Sequence, residues 1–459
     1  MPPEWAPAMR AESYNCNFQA SQKHITDKLK AAGISFLVTA GDNAVELSLL
    51  ETADPLRILK IRDILYRALN GLEPFFTVYI KDLPFCFMPD AWDHILYRKK
   101  SGATYARIAA CAACRLNAFC PGLEKKSVFS RSLRAELSPV LAAPNEVVIE
   151  LTKKCNLNCL VCFSDRRSEE RPLKDLSAVL RQAKKMGVRN IRFTGGEPFL
   201  SKNLLPLLKA AKALGFYTLV NTNAVAADKK LLEKAARHID NVLVSLQGRD
   251  NKTEGEATRT PGLFTAKLAN IGLFKTGGVK VLRLGTVISK DVLNNFPAYY
   301  RLAVRLKADI WELYRPMPGH SAQSGKKEFR LKREDIKRLS KNIASLKAGA
   351  PRVVMANPVP LCLVPAAERK NFLGAAFDDG HTRVVYDTRG FFKPSYYIEK
   401  NLGFSLKKAW DSRFLKDLNR LDYLPGRCKV CRDLLKCLGG SRALAKDGGS
   451  GYLAEDPWL

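Results

Sequence analysis

The chain has 459 residues, of which 46% are hydrophobic, and this length predicts two or three domains with sizeable cores. It carries 75 Lys and Arg against 45 Asp and Glu, a formal charge of +30 that favours acidic partners. The sequence has no run of 18 apolar residues and no basic-then-apolar N-terminus, which argues against a membrane span and predicts a cytoplasmic protein. Twelve cysteines in such a protein indicate metal ligation rather than disulfides.

Residues 1–140 are predicted to form a small α+β accessory domain. Its apolar periodicity predicts helices over 24–32 and 55–69 and strands over 35–39, 44–49 and 75–80.

A set of four cysteines follows these elements: Cys86, then Cys111, Cys114 and Cys120 in the spacing C-x2-C-x5-C. Four thiolates complete the ligand set of a 4Fe–4S cluster, and zinc uses the same four ligands. The sequence leaves both metals open for this N-terminal set. Cys16 stands apart from every set and is predicted to be a plain free cysteine.

A different cysteine pattern follows the apolar run 147–151, which predicts a buried strand. Cys155, Cys159 and Cys162 lie in the spacing C-x3-C-x2-C on the loop that leaves this strand. Three thiolates converge on one metal centre but do not close a four-ligand site, so a cluster held by them keeps one iron open. Catalytic zinc sites keep one coordination position open for water or substrate, whereas structural zinc sites are closed by protein ligands. By analogy, an open iron indicates a catalytic role for this cluster.

The next predicted strand, 191–194, ends in the turn Gly195, Gly196, Glu197 and Pro198. This pairing of a cysteine triad with a Gly-Gly-Glu-Pro turn resembles the radical S-adenosylmethionine (SAM) superfamily. The resemblance implies that the triad binds a 4Fe–4S cluster and that the turn lines the site for the methionine part of SAM. The family's aromatic residue before the third cysteine is Val161 here, and Phe163 follows Cys162.

Residues 141–325 are predicted to form the core of the protein, an α/β unit in which strands and helices alternate. Further strands are predicted over 217–222, 242–246, 279–288 and 310–314, with helices over 204–214 and 228–237. The resemblance implies a partial (β/α)6 barrel that is open on one side to admit a large substrate.

Polar side chains stand at the ends of two of these strands: Thr222 and Asn223 follow the third strand, and Ser245 lies in the fourth. In parallel sheets ligands bind at the carboxyl ends of the strands. The resemblance implies that such residues contact the ribose or carboxylate of SAM. For Ser245, a capping or buried-turn role is the alternative.

A basic run over residues 326–338 continues with apolar residues at helical spacing and predicts an amphipathic surface helix. Nucleic-acid binding is an alternative use of this charge, although the sequence carries no recognised nucleic-acid-binding motif.

Residues 326–459 carry a third cysteine set, Cys428, Cys431 and Cys437 in the spacing C-x2-C-x5-C, with Cys362 upstream. This region resembles the SPASM or twitch extension of radical SAM maturases, which holds auxiliary 4Fe–4S clusters. The full pattern has cysteines where this chain has Ser395 and Ser441, and another commonly follows the Asp-Pro pair that is Asp456-Pro457 here. Four of seven cysteines remain, enough for one cluster. Cys362 is the predicted fourth ligand, with Asp456, an open iron or a four-thiolate zinc site as alternatives.

The resemblance therefore implies an enzyme that reductively cleaves SAM to a 5′-deoxyadenosyl radical and abstracts hydrogen, with modification of a peptide or protein side chain as the leading hypothesis. The implied partners are a peptide, acidic in keeping with the basic chain, and an electron donor such as flavodoxin or ferredoxin. A second hypothesis is cofactor or small-molecule biosynthesis. A third, from another class, is a basic zinc or iron–sulfur scaffold that binds nucleic acid without turnover.

Overall fold

The computed structural model describes residues 27, 35–41, 44–51, 61–66, 69, 77–131, 134–165, 170–319, 327–346, 351–376, 379–449 and 451–459. The predicted helix over 24–32 lies outside these residues except for Asp27, and that over 55–69 is described mainly at 61–66, which are helical. Of the twelve cysteines, Cys16 also lies outside them.

The N-terminal part contains a four-stranded sheet in the order β1-β2-β3-β4. Its strands are β1 (Ser35–Gly41), β2 (Ala44–Glu51), β3 (Thr77–Lys81) and β4 (Ile95–Leu96). β1 and β2 pair antiparallel, whereas β2, β3 and β4 run parallel. A small hairpin of β5 (Tyr105–Ala106) and β6 (Leu123–Glu124) and the short helix α1 (Val128–Arg131) follow. These strands confirm the predicted α+β character of this region.

The central sheet has the strand order β13-β12-β11-β10-β9-β8-β7-β14-β15. Its strands are β7 (Glu146–Glu150), β8 (Asn190–Thr194), β9 (Tyr217–Thr222), β10 (Asn241–Ser245), β11 (Val281–Val287), β12 (Ile310–Tyr314), β13 (Arg352–Met355), β14 (Arg383–Tyr386) and β15 (Phe392–Lys393). All neighbours pair parallel except β14 and β15. The six predicted barrel strands are confirmed within two residues at each end.

The helices connect these strands and cover the sheet. They are α2 (Leu173–Met186), α3 (Leu204–Ala213), α4 (Lys229–Ala236), α5 (Asn251–Thr258), α6 (Phe264–Thr276), α7 (Lys290–Asn294), α8 (Phe296–Arg305), α9 (Arg333–Ala344), α10 (Leu406–Trp410), α11 (Arg413–Arg420), α12 (Gly426–Lys429), α13 (Leu434–Cys437) and α14 (Arg442–Asp447).

Helix α2 illustrates how the sequence dictates these elements. Leu176, Val179, Leu180 and Ala183 recur at helical spacing and are all buried, so one apolar stripe faces the sheet. Gly187 ends the helix with a φ of +79°, a conformation that glycine adopts without strain.

Helix α9 confirms the amphipathic helix predicted from the basic run. Ile336, Leu339 and Ile343 are buried on one face, while Lys337 and Lys341 are exposed on the other. The basic residues of the run therefore form the solvent-exposed face of an amphipathic helix.

The central sheet has more strands than the six predicted from the sequence, because strands from residues 326–459 extend both of its edges. β13 pairs with β12, and β14 pairs with β7, so neither of these two barrel strands is left as an open edge. β14 and β15 form a hairpin around Gly390. One continuous apolar core joins the barrel, the N-terminal part and the C-terminal region. Within the described residues, no helix has the length and apolarity needed to cross a membrane.

Candidate active site

The three cysteines of the central triad lie on the loop after β7 and face one cavity, which they line together. The loop is anchored to helix α5: the backbone N–H groups of Asn158 and Leu160 donate to the carbonyls of Thr258 (3.1 Å) and Ala257 (2.9 Å). Leu157 and Leu160 point into the core. Buried leucines and backbone hydrogen bonds thus fix the loop and leave the thiols at the cavity wall.

The thiols of the triad lie close enough to influence one another electrostatically. Burial, with negative charge on Cys162 and Cys155 as a smaller cause, raises the pKa of Cys159 to about 12, while Lys267 opposes the shift. Three crowded thiolates are stable only with positive charge among them, so loading of metal must release protons. This donor set, three cysteines beside a cavity, fits a 4Fe–4S cluster with one open iron.

Across the described residues, no three His, Cys, Asp or Glu side chains are arranged to hold one metal ion. Thiolates of a 4Fe–4S cluster each bind a different iron and therefore do not need that close approach.

The Gly-Gly-Glu-Pro turn after β8 packs directly against the backbone that leads to the cysteines. Gly196 N–H donates to the carbonyl of Thr152 (2.7 Å), and Glu197 N–H donates to that of Lys154 (2.8 Å). A Cβ on Gly195 would lie 2.1 Å from the Thr152 oxygen, and one on Gly196 would lie 2.2 Å from the Lys154 oxygen. Only glycine permits this contact, which fixes the turn beside the triad.

Glu197 is fully buried beneath this turn, where it organises the neighbouring strand end. Its carboxylate accepts hydrogen bonds from Thr222 Oγ1 (2.7 Å) and from the N–H groups of Asn223 (2.7 Å) and Phe199 (3.1 Å). Burial nevertheless outweighs these bonds and raises the pKa of Glu197 to about 7. Pro198 opens the short 3-10 turn that follows.

We expect Glu197 to make the stability of the cluster-free protein depend on pH. Because the folded-state pKa is raised, its stabilising contribution is complete below the unfolded pKa of 4.5 and is lost as pH rises through about 7. The loss is about 3 kcal/mol. Urea unfolding of the wild type and Glu197→Gln at pH 5 and pH 8 measures it, since the variant stays neutral. An unchanged difference in unfolding free energy at the two pH values would contradict the assignment.

The predicted cofactor contacts at the end of β9 have protein partners of their own. The Thr222 hydroxyl donates a hydrogen bond to Glu197 and accepts one from the N–H of Ala224 (2.9 Å). Asn223 Nδ2 donates to Cys155 Sγ (3.7 Å) and to Asn156 Oδ1 (2.8 Å). Both residues line the cavity, but their side chains hold Glu197 and the cysteine loop.

Ser245 lies at the cavity wall at the end of β10 and pairs in register with Gly285. A buried ion pair that sequence reasoning missed fixes this strand end. Lys267 Nζ donates to the Ser245 carbonyl (2.8 Å) and to Glu254, whose other oxygen accepts from Gln247 N–H (2.8 Å) and Gly248 N–H (2.6 Å). The only signal in the sequence was a lysine on the apolar face of a helix.

The cavity has a volume of about 1780 Å³ and runs through the barrel lumen. At one end it meets the triad and the glycine turn, and at the other it reaches Gly187 and Arg189. Asp90, from the N-terminal part, also lines that far end and pairs with Arg189 (Oδ2 to Nη1, 2.7 Å).

The lumen contains buried ion pairs that sequence reasoning also missed. Arg192 donates to both oxygens of Glu146 (2.9 and 2.8 Å), and Arg283 donates to Glu312 (2.7 Å). These residues interrupt apolar strands at inward-facing positions, and that alternation was the available signal. Within these pairs the opposite charges compensate one another.

Val161 and Phe163 both line the cavity, so the departure from the family pattern leaves an aromatic ring there. The Phe163 ring packs against Tyr396 and Tyr397, with ring centroids 5.4 and 5.1 Å apart. Two of these three aromatics come from the C-terminal region, which therefore forms part of the cavity wall.

The four N-terminal cysteines are brought together by the fold. Burial, with charges on Cys120, Cys114 and Cys111 as smaller causes, raises the pKa of Cys86 to about 12. All four thiols are partly exposed.

The C-terminal set also converges. Burial, with charges on Cys362 and Cys431 as smaller causes, raises the pKa of Cys437 to about 11. Cys428 feels the charges of Cys431 and Cys362 in the same way. Cys362 is exposed, and its charge acts on Cys428 and Cys437.

Asp456, the alternative fourth ligand, has different partners in the structure. Its buried carboxylate accepts from Arg315 Nη1 (2.9 Å), Ser441 N–H (2.8 Å) and Trp458 N–H (2.9 Å). Ser395, which replaces another cysteine of the full pattern, donates to Asp379 (3.3 Å). Residues Ser395, Ser441 and Asp456, which stand at or near cysteine positions of the full pattern, therefore take part in hydrogen bonds within the protein.

Comparison with known proteins agrees with this geometry. Residues 149–303 match the model of the Radical SAM superfamily. The PqqA peptide cyclase of Rhizobium meliloti is 24% identical over 339 residues, covering 70% of this chain and 88% of that protein. The PqqA peptide cyclase of Gluconobacter oxydans is 31% identical over 178 residues, covering 37% of this chain and 49% of that protein.

The fold is similar to that of Streptococcus suis SuiB. SuiB bound to S-adenosylmethionine superposes with a TM-score of 0.55 and 21% identity, covering 69% of this chain and 77% of SuiB. SuiB bound to its precursor peptide SuiA gives a TM-score of 0.54, covering 68% and 75% of the two chains. The superfamily match, the partial barrel and the cysteine triad beside the Gly-Gly-Glu-Pro turn together show that residues 149–303 form a radical SAM domain.

Proposed function

We propose that this radical SAM enzyme modifies a side chain of a peptide. The observation that carries the proposal is the cavity of about 1780 Å³ beside the triad, which exceeds the ~300–1,000 Å³ of small-molecule sites. Such a volume accommodates SAM together with an extended segment of chain. The names of relatives agree: PqqA peptide cyclases act on a peptide, and SuiB binds a precursor peptide.

In this proposal Cys155, Cys159 and Cys162 hold a 4Fe–4S cluster. When bound, that cluster supplies the electron that cleaves the sulfonium of SAM to methionine and a 5′-deoxyadenosyl radical. The chain's own contribution is to fix the ligand loop and to orient the thiols. Helix α5 and the Gly-Gly-Glu-Pro turn fix the loop through backbone hydrogen bonds. Asn223 orients the Cys155 thiol through its N–H···S hydrogen bond.

The SAM molecule would lie between the triad and the ends of β8, β9 and β10. Gly195 and Gly196, which line the cavity, would provide the wall for its methionine part, with the buried residues Glu197 and Pro198 behind them. Ser245 is the proposed polar contact at the cavity wall. Thr222 and Asn223 act through Glu197 and Cys155, because their hydrogen bonds already point there.

The two outer cysteine sets are proposed to hold auxiliary 4Fe–4S clusters. Cys362, Cys428, Cys431 and Cys437 would form the cluster of a SPASM- or twitch-like extension, and Cys86, Cys111, Cys114 and Cys120 would form a second one. Zinc in either set is the alternative that metal analysis tests. All eleven described cysteines are free, in keeping with a reducing cytoplasm, where flavodoxin or ferredoxin would serve as electron donor.

The test is the formation of 5′-deoxyadenosine by protein purified and reconstituted without oxygen, with dithionite and SAM. Product above the level of a triad variant, and a mass change in a peptide encoded beside the gene, is the expected result. SAM cleavage with a small molecule modified instead would favour cofactor biosynthesis. Zinc without a brown chromophore would favour the non-catalytic scaffold.

Replacing Cys431 by alanine is expected to abolish modification of the peptide while SAM cleavage persists, because the C-terminal set is separate from the triad. Mass spectrometry of the peptide and quantification of 5′-deoxyadenosine measure the two activities side by side. Cys16→Ala, outside every set, is the matched control. Full product formation by Cys431→Ala would remove the C-terminal set from the mechanism.

A further inference from the structure

We infer that the surface around the N-terminal cysteine set is a docking site for a small acidic electron-carrier protein, which exchanges one electron with a cluster held there. The inference rests on the proposed iron–sulfur character of this set. The reduced carrier loses one electron and the cluster gains it, with no transfer of atoms. The chemistry that recognises the partner is a negative surface around an exposed redox centre.

The ligand loop is presented at the surface by a small hairpin. β5 and β6 pair on either side of it, with Tyr105 opposite Glu124 and Ala106 opposite Leu123. Gly122 joins the loop to β6 with a φ of +98°, and a Cβ there would lie 2.7 Å from the Ala106 oxygen. The loop between Ala106 and Leu123 is therefore held at its base, and three cysteines lie on it.

Short side chains surround the thiols on the solvent side. Ala109, Ala112, Ala113 and Ala118 are all exposed next to partly exposed cysteines. Alanine adds one methyl group beyond the backbone, so a partner can approach the metal centre closely. Electron exchange between proteins requires such an approach, whereas a purely structural site gains nothing from it.

Positive charge surrounds this alanine-covered loop. Between residues 98 and 126 the chain has seven Arg or Lys and one Glu. The exposed members are Arg98, Lys99, Lys100, Arg107, Lys125 and Lys126. Of these, Lys100 forms an exposed ion pair with Asp82 at 3.2 Å, which solvent screens. A concentration of one charge sign around a site steers partners of the opposite sign to it.

The same part of the protein contacts the C-terminal cysteine segment. The Tyr79 hydroxyl donates to Asp433, which lies between Cys431 and Cys437. Arg98 Nη2 donates to the carbonyl of Val430 (3.2 Å), between Cys428 and Cys431. Helix α13, which ends at Cys437, packs against the turn at 92–94. Protein atoms thus bridge the two sets, so a carrier docked at the N-terminal set is linked to the C-terminal set.

Charge reversal of the rim tests the docking site. The variant Lys99→Glu/Lys100→Glu/Lys126→Glu is compared with Lys229→Glu/Lys230→Glu/Lys234→Glu on helix α4, whose lysines are equally exposed and likewise include one surface ion pair. Stopped-flow mixing with a reduced acidic [2Fe–2S] ferredoxin measures the second-order rate of electron transfer. We expect the rim variant to lose about ten-fold in rate at low salt, and the helix variant to match the wild type. The wild-type rate should also fall as ionic strength rises.

Two outcomes would overturn the inference: equal rates for both triple variants, or zinc bound at the N-terminal set. A Cys111→Ser variant separates the metal question, because it should lose iron and the fast transfer phase together. Formation of 5′-deoxyadenosine with dithionite needs no carrier protein, so it should be unaffected in the rim variant. Its absence in the wild type would instead overturn the proposed function, and the two failures are therefore distinguishable.

Discussion

Replacing Cys155, Cys159 and Cys162 together by alanine is expected to remove one cluster and to reduce 5′-deoxyadenosine formation to background. The reason is that these three thiols line the cavity and would hold the cluster. The cofactors, rather than other side chains, carry out the bond cleavage, so loss of the cluster removes the reaction. Iron analysis should show a loss on the order of four irons per chain. Iron in the two outer sets should persist, because neither shares a cysteine with the triad.

The matched control for this variant is Cys16→Ala, which leaves all three cysteine sets intact. It should retain the full iron content and the wild-type yield of 5′-deoxyadenosine. SAM cleavage that continues in the triad variant at the wild-type rate would disprove the assignment of the catalytic cluster to this loop.

Gly196→Ala is expected to have the second largest effect. The new Cβ would lie 2.2 Å from the Lys154 oxygen and 2.6 Å from the Lys153 oxygen, and both are backbone atoms that cannot rotate away. The turn must therefore move away from the cysteine loop. A shift of about 1 Å at a reacting centre costs about 100-fold in rate. We expect SAM cleavage to fall by about that factor, with an overpacking cost of about 1–3 kcal/mol in stability.

The control is Gly272→Ala in helix α6, where an added Cβ meets no atom within 4 Å. This substitution should leave cleavage unchanged and stabilise the protein slightly, because alanine lowers the entropy of the unfolded chain. Binding of SAM, measured by equilibrium dialysis, separates two explanations for a slow Gly196→Ala variant. Weaker binding would indicate a displaced methionine site, and normal binding a displaced cluster. A wild-type rate would mean that the turn does not support the cysteine loop.

Local patterns in the sequence were sufficient to predict the barrel strands and the cysteine sets. A buried parallel strand is a short apolar run, and a metal loop has its ligands close together along the chain, so both signals are local. The Gly-Gly-Glu-Pro turn was predictable for the same reason. By contrast, the strands β13 and β14 were not assigned to the barrel, because pairing with β12 and β7 depends on contacts distant in sequence.

The sequence by itself determined the chemistry of this protein: three cysteines on one loop leave an iron open, whatever surrounds them. Only the tertiary structure decided what holds and surrounds that loop. Glu197 lies beneath the turn because β8 and β9 are neighbours, and Lys267 meets Glu254 because two helices pack together. Asp456 pairs with Arg315 across 141 residues of chain. Such contacts join residues far apart in the chain, and their energies depend on burial that no local pattern specifies.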